Sequence, residues 1–324
     1  MPTVAPLDLD GHCVWAGFVT DIPHFALADG IIHALDNGRR HVTAHDGLLC
    51  AALSLDGRTL ISGGEDGRLV ETRADGTIIE RLALGRKWIT SLASGPDGMV
   101  AGATGKHVEI APRKGKTIAF GLERSAEGLA FAPKGRRIAV ARYDGATLLY
   151  AAAGSQPVPL DWKGAHTGVS FSPDGSYVVT TMQENALHGW RLADNRHMRM
   201  TGYPGKVKSW SWSAKGKWLA TSGAPAAIVW PFSGKDGPMG KSPLELGTRG
   251  DQLVTQVCCH PTEDITAIGY SDGMILAARM SDGNEVLLRR PGKGAITSMG
   301  WDGQGFRIAY GSETGDCGVV DIRG

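Results

Sequence analysis

The sequence predicts an all-β fold, a propeller of four-stranded blades, and three observations predict it. A turn pattern recurs at a near-constant interval, each recurrence is flanked by short alternating strands, and glycine is in excess. Of 324 residues, 46 are Gly, about 14% against a usual ~7%. The clearest copy of the turn is Val169-Ser170-Phe171-Ser172-Pro173-Asp174-Gly175, followed by a strand over residues 177–181. The same grammar ends at Gly57, Gly98, Gly135 and Gly216, with weaker copies at Glu263 and Gly305. Successive spacings of 41, 37, 40, 41, 47 and 42 residues match a four-stranded propeller blade.

Taken in order, the first copy has Phe18 at its strand end and its second strand over 23–28. Each copy carries a second turn about ten residues on, as in Ala28-Asp29-Gly30, Glu65-Asp66-Gly67, Tyr143-Asp144-Gly145 and Ser271-Asp272-Gly273. Asp-Gly steps supply the positive φ that tight hairpins demand. Each copy therefore gives three hairpin-linked strands and usually a fourth outer one. One small twisted sheet cannot bury both its faces, and radial stacking solves that problem. The last copy starts near Ala295 and stops at Val319-Val320-Asp321, short of a fourth strand. Thr3–Asp8 has no sheet of its own and is predicted to supply the missing strand as a clasp. The count is eight blades, with seven, the commoner number, as the alternative. No interval is long enough for a second domain, so residues 1–324 read as one propeller domain. The longest insertion, 233–243, reads as an outer-strand loop.

This organisation resembles the WD-repeat β-propeller family over nearly the whole chain. The best-matching pieces are the FSPDG at 171–175 and the turn around Asp66. The repeats are degenerate. Where the family ends its third strand in Trp-Asp, this chain has Trp190-Arg191 and Trp230-Pro231, and Tyr150-Ala151 and Thr72-Arg73 in other copies. Trp301-Asp302 falls instead at the end of a first strand. His45 is a match shifted by one position, and His166 takes the place of a buried apolar residue. The family's buried His–Asp network is therefore expected to be mostly missing. The resemblance implies a rigid, non-catalytic interaction platform.

Composition narrows the function classes. A net charge of +1 argues against a strongly basic nucleic-acid binder, and 42% hydrophobic residues argue against disorder. No apolar run approaches the roughly 18 residues of a membrane span. The N-terminus MPTVAPLDLDGH has no signal-peptide character, and the five cysteines (Cys13, Cys50, Cys258, Cys259, Cys317) show no disulfide spacing. A reducing, cytoplasmic setting is expected.

No nucleophile elbow or H-E-x-x-H motif occurs. Gly115-Lys116-Thr117 mimics the end of a phosphate-binding loop, but Ile110 stands where that loop needs Gly, and the step lies at a hairpin. Cys258 and Cys259 are adjacent on a strand, so they point to opposite faces and do not suit one metal ion. The expectation is no catalytic residue, no metal and no cofactor. A channel-site hydrolase, a metal-handling propeller and a nucleic-acid binder using Arg86, Lys87 and Trp88 are the alternatives.

Loops entering the innermost strands and loops after the second strands should share one face around the channel. On that face the candidate partner-binding residues are His12, Trp88, Arg142, Met182, Lys206 and Tyr270. Trp, Tyr and Arg dominate interface hot spots, and Met adapts to irregular surfaces. Arg86 and Lys87 beside Trp88 favour an acidic protein or peptide as the partner. The competing readings are Trp88 packed between blades, Arg142 paired with Asp144, and Tyr270 covering its hairpin. Trp210 and Trp212 alternate with serines and read as blade-packing core, with Lys215 and Lys217 in solvent.

Overall fold

The computed structural model describes residues 2–85 and 87–323, and almost every regular element in them is a β-strand. The repeated turns are where the sequence places them. The Gly closing the turn between first and second strand has φ between 66° and 78° at Gly57, Gly98, Gly135, Gly175, Gly216 and Gly305. A side chain there would be strained, which is why glycine recurs at this position. The turn is held by a short-range pattern. In Ser54–Gly57 the Ser54 carbonyl accepts the Gly57 N–H at 2.9 Å, and Asp56 accepts the Arg58 N–H at 3.1 Å.

Among the described residues, six sheets have four antiparallel strands, five of them in chain order and one completed by the N-terminal strand, and a seventh sheet has six. A typical sheet runs Leu48–Leu53, Thr59–Gly64, Arg68–Arg73, Ile78–Ala83. The sheet count is thus seven, the alternative to the eight obtained by counting turns. The difference arises at one place. Arg137–Tyr150 and Val158–Phe171 are each continuous over 14 residues. Yet Ala151, just past the end of the first, donates its N–H to Arg136, just before its start, at 2.8 Å. Arg137–Tyr150 is therefore a hairpin folded at Asp144-Gly145, where φ is 66° and 127°. Val158–Phe171 likewise serves as an outer strand at its beginning, where Val158 to Asp161 pair with residues 145–148. At its end it serves as the first strand of the next copy, where residues 166–171 pair with Tyr177–Met182. With each 14-residue strand counted as two segments, this sheet holds two copies of the repeat of four strands each, joined because no turn breaks Val158–Phe171 between them.

The clasp forms as expected. Thr3–Asp8 pairs antiparallel with Asp316–Asp321 in unbroken register from Thr3↔Asp321 to Asp8↔Asp316. It completes the sheet of Ile296–Trp301 and Arg307–Ser312.

Contacts group the chain into two units. The first comprises Met1–Leu27, His33–Arg40 and Met200–Gly324, and the second Ala28–Ile32 and His41–Arg199. In the first unit, Val257, Ile268, Tyr270 and Leu276 of one sheet pack against Ala220, Val229 and Leu246 of its neighbour. In the second, Val108 and Ile110 pack against Leu129, Phe131 and Val140. Each fully buried aliphatic side chain of this kind contributes about 1.5–3 kcal/mol.

Candidate functional site

The loop that carries Trp88 runs from Ile78–Ala83 to Ser91–Ser94, within the second unit. It is pinned at both ends. Leu84 donates its N–H to the Gly67 carbonyl at 2.8 Å, and Ile89 donates to Gly64 at 3.1 Å. Ile89 is fully buried against Leu69, Leu82 and Leu92. With its neighbour turned inward, Trp88 is turned outward and is 56% exposed. The reading of Trp88 as packed between blades is thereby corrected. Lys87 is exposed beside it; Arg86 lies outside the described residues.

The hairpin that pins this loop is itself braced from below. His45 is buried, its Nδ1 lies 3.1 Å from the Asp66 carboxylate, and its Nε2 lies 2.9 Å from Ser62 Oγ. Asp66 also accepts the Arg68 N–H at 3.0 Å. One copy thus keeps a buried His–Asp–Ser network, although His45 sits one position away from the expected place. The network ties the chain entering Leu48–Leu53 to the hairpin on which the Trp88 loop hangs.

Elsewhere arginine does the same work. In the first unit Arg249 bonds Asp272 at 2.8 Å and lies 5.1 Å from the Tyr270 ring centroid. Arg289 pairs with Asp316 and lies 4.6 Å from the Tyr310 ring. Each arginine joins an incoming segment to the hairpin after a second strand, and stacking on tyrosine holds its guanidinium in place. Sequence reading missed these clamps because Arg and Tyr are 21 residues apart and meet only across a sheet.

The six candidate residues divide cleanly. His12, Trp88 and Lys206, which precede first strands, are exposed. Arg142 is mostly covered and braces its hairpin. Its Nη2 pairs with Asp161 at 2.7 Å, its Nε donates to Thr147 Oγ1 at 2.8 Å, and its Nη1 donates to the Tyr143 and Asp144 carbonyls. The partner carboxylate is therefore Asp161 rather than Asp144. Met182 and Tyr270 are buried, so they are corrected as surface candidates. Both are the last residues of second strands, Tyr177–Met182 and Ile265–Tyr270, and remain inside the ladder. The hairpins begin one residue later than the turn alignment placed them. The Tyr270 hydroxyl donates to the Gly247 carbonyl. An exposed aromatic side chain at the end of a second strand is Tyr143, 54% accessible, with the Arg124 guanidinium 6.0 Å from its ring.

Trp210 and Trp212 are half-buried, and Trp212 meets Phe232 edge-on at 4.6 Å. The intervening serines do more than fill space. Ser211 Oγ accepts the Cys259 N–H at 2.9 Å, and Ser209 Oγ accepts that of Val257 at 3.1 Å. Cys259 Sγ is turned to the Ser211 carbonyl at 3.3 Å. Among the described residues, no group of three or more His, Cys, Asp or Glu side chains is arranged to hold a metal ion.

Comparison with known proteins agrees with this architecture. The WD domain, G-beta repeat model matches residues 38–70, the stretch that contains both His45 and Asp66. Part of the chain is 30% identical over 114 residues to LLGL scribble cell polarity complex component 2 of Danio rerio, covering 32% of this chain and 11% of that protein. The chain therefore spans about a tenth of that relative's length. Among solved structures, the computationally designed Ika8 protein superposes with a TM-score of 0.79 at 16% identity, covering 97% of this chain and 98% of that one. At that identity the likeness is one of fold alone.

Proposed function

Starting from a chain that is a WD-repeat β-propeller, we propose that it is a non-catalytic platform that binds another protein or a peptide through the loops leading into its first strands. Propellers of this family are generally interaction modules rather than enzymes. The observation that carries the reading is Trp88, a large aromatic side chain more than half exposed on a loop pinned at both ends. A side chain held out this way loses little conformational entropy on docking, which is the advantage of preorganisation. Lys87 beside it favours an acidic complement. His12 and Lys206 are accessible on equivalent loops of the first unit. The five cysteines are free, and burial pushes the Cys50 thiol up to about 12, well away from thiolate reactivity. Free thiols suit the reducing, cytoplasmic setting we assign to the protein.

The test is affinity capture of partners by wild type and by the Lys87→Ala, Trp88→Ala double variant, each checked by thermal melting. A protein retained by wild type and lost by the variant at unchanged melting temperature supports the reading. Equal recovery by both overturns the assignment to Trp88.

A further inference from the structure

A second surface lies at the other end of these strands, away from the Trp88 loop. A groove of about 480 Å³ opens between the hairpin at 112–117 and the turn at 133–136. Arg113, Lys114, Lys116 and Arg136 line it, and Asp97 is the single carboxylate of its lining. All four cations are exposed, and none forms an ion pair with another described residue. Its apolar side is formed by Met99, Ile110 and Ile118. The chain as a whole carries a charge of only +1, so this concentration is local.

A second groove lies on the opposite face of the same sheet. The Ala151 N–H to Arg136 carbonyl bond of 2.8 Å forms a rung of that sheet. One residue along each strand the side chains point the other way, so Arg137 and Tyr150 line this second groove of about 470 Å³ together with Leu148, Val158 and Leu160. No carboxylate lines it.

We propose that the basic groove docks an acidic segment of a partner protein. The unpaired cations supply the complement to its carboxylates without breaking any internal ion pair, and Met99, Ile110 and Ile118 receive an apolar side chain among them. The observations favour a peptide over other polyanions. The apolar floor of the basic groove is recessed, so a flat bilayer does not reach it. The basic groove has no aromatic side chain in its lining on which a base would stack. This surface is separate from the Trp88 loop, and its occupancy does not depend on that reading.

The experiment is a fluorescence-anisotropy titration of the full chain with the labelled peptide Asp-Glu-Asp-Glu-Leu-Leu-Ser-Phe-Leu. Comparison probes are its Lys-for-acid counterpart, phosphatidylserine vesicles and an oligothymidylate. The acidic peptide is expected to bind, to weaken as salt rises, and to lose at least about tenfold in affinity to the Lys114→Glu, Arg136→Glu variant. Val158→Asp, in the groove on the other face of the sheet, and Trp88→Ala are expected to leave it unchanged. Both charge-reversed positions are in solvent-exposed turns, and Lys116→Gln serves as a milder variant, expected to weaken binding about threefold. No binding of the acidic peptide, an affinity unmoved by the changes at Lys114, Arg136 and Lys116, or tighter binding of vesicles or oligothymidylate overturns the proposal.

Discussion

The two units join their sheets by different chemistry. In the first, side chains on one first strand bond the backbone of the next. Thr255 Oγ1 donates to the Ile296 carbonyl at 2.7 Å, Gln256 to Thr297 at 2.7 Å, and Thr297 Oγ1 to Cys13 at 2.6 Å. Ser298 Oγ accepts the Ala16 N–H at 2.8 Å, and Trp301 Nε1 donates to the Cys258 carbonyl at 3.0 Å. In the second unit the corresponding strands read LLCAAL, SLAS and GLAF. Their bridges are a thiol contact, Cys50 Sγ to the Ile89 carbonyl at 3.3 Å, and Ser94 Oγ accepting the Leu55 N–H at 3.2 Å. Apolar packing does the rest between these first strands, and on the outer strand Arg81 Nη2 donates to the Gly98, Ala111 and Pro112 carbonyls of the next sheet at 3.1–3.3 Å. The lesson is that one repeat tolerates two kinds of seam. Hydroxyl bridges are directional and fix the axial offset of neighbouring strands. Apolar contacts fix spacing and leave the offset to the loops.

The largest expected effect probes the histidines of the second unit. His188 is fully buried, stacks on Trp162 at 4.1 Å, and shares a 3.1 Å contact with His197 Nδ1. Burial first, then the neighbouring His197, His166 and Arg199, push it down to about 3 from an ordinary 6.5. His166, bonded to Thr180 at 2.7 Å, is lowered in the same direction, chiefly by burial. A depressed histidine is neutral in the folded state, so the unfolded chain takes up the proton first as pH falls. The stability it contributes is complete above about 6.5 and is lost progressively towards 3. Between pH 7 and 4 the loss from His188 is expected to be about 3 kcal/mol. Hydrogen exchange should show Tyr177–Met182 and Ala186–Arg191 opening before Val254–Cys259. The first unit has a lowered histidine too, His24, again through burial, so its acid loss should be smaller rather than absent. His188→Phe removes the titrating group and should flatten the acid limb; an unchanged limb would show that another group sets it.

A middle-sized effect tests the hydroxyl seam. Thr297→Val keeps the shape and removes the donor shared by the Cys13 and Gly311 carbonyls. Denaturant unfolding should show a loss of about 1–2 kcal/mol. A loss below ~0.5 kcal/mol would break the contrast between the units.

The smallest effects are expected at the thiol contact and, below it, at Trp88. Cys50→Ala should cost about 1 kcal/mol or less, since S–H is a weak donor and little apolar volume is removed. A cost above that of Thr297→Val would reverse the ranking of the two seams. Trp88→Ala should lie within about 0.5 kcal/mol of wild type, because its side chain is exposed.

The sequence by itself determined the repeat and its ends. Turn chemistry is local: a Gly at positive φ after Asp or Lys marks the same hairpin in copy after copy, so periodicity is readable without a structure. The clasp was legible for a similar reason, since a copy lacking a strand and a strand lacking a sheet must answer one another. Exposure before first strands was legible at His12, Trp88 and Lys206, where the loops stand clear of the ladders. Exposure at the far ends of the second strands was not. Whether Tyr270 and Met182 close a ladder or open a loop depends on how far pairing runs, and that is set by the neighbouring strands. Arg142 found Asp161 across 19 residues, and the basic groove drew its cations from two hairpins of different copies. The sheet count also lay beyond the sequence: eight turns are visible, but whether the chain between two copies breaks its pairing is decided by the sheets on either side. Local backbone geometry follows from residue type, whereas partnership between distant side chains follows only from the packing that brings them together.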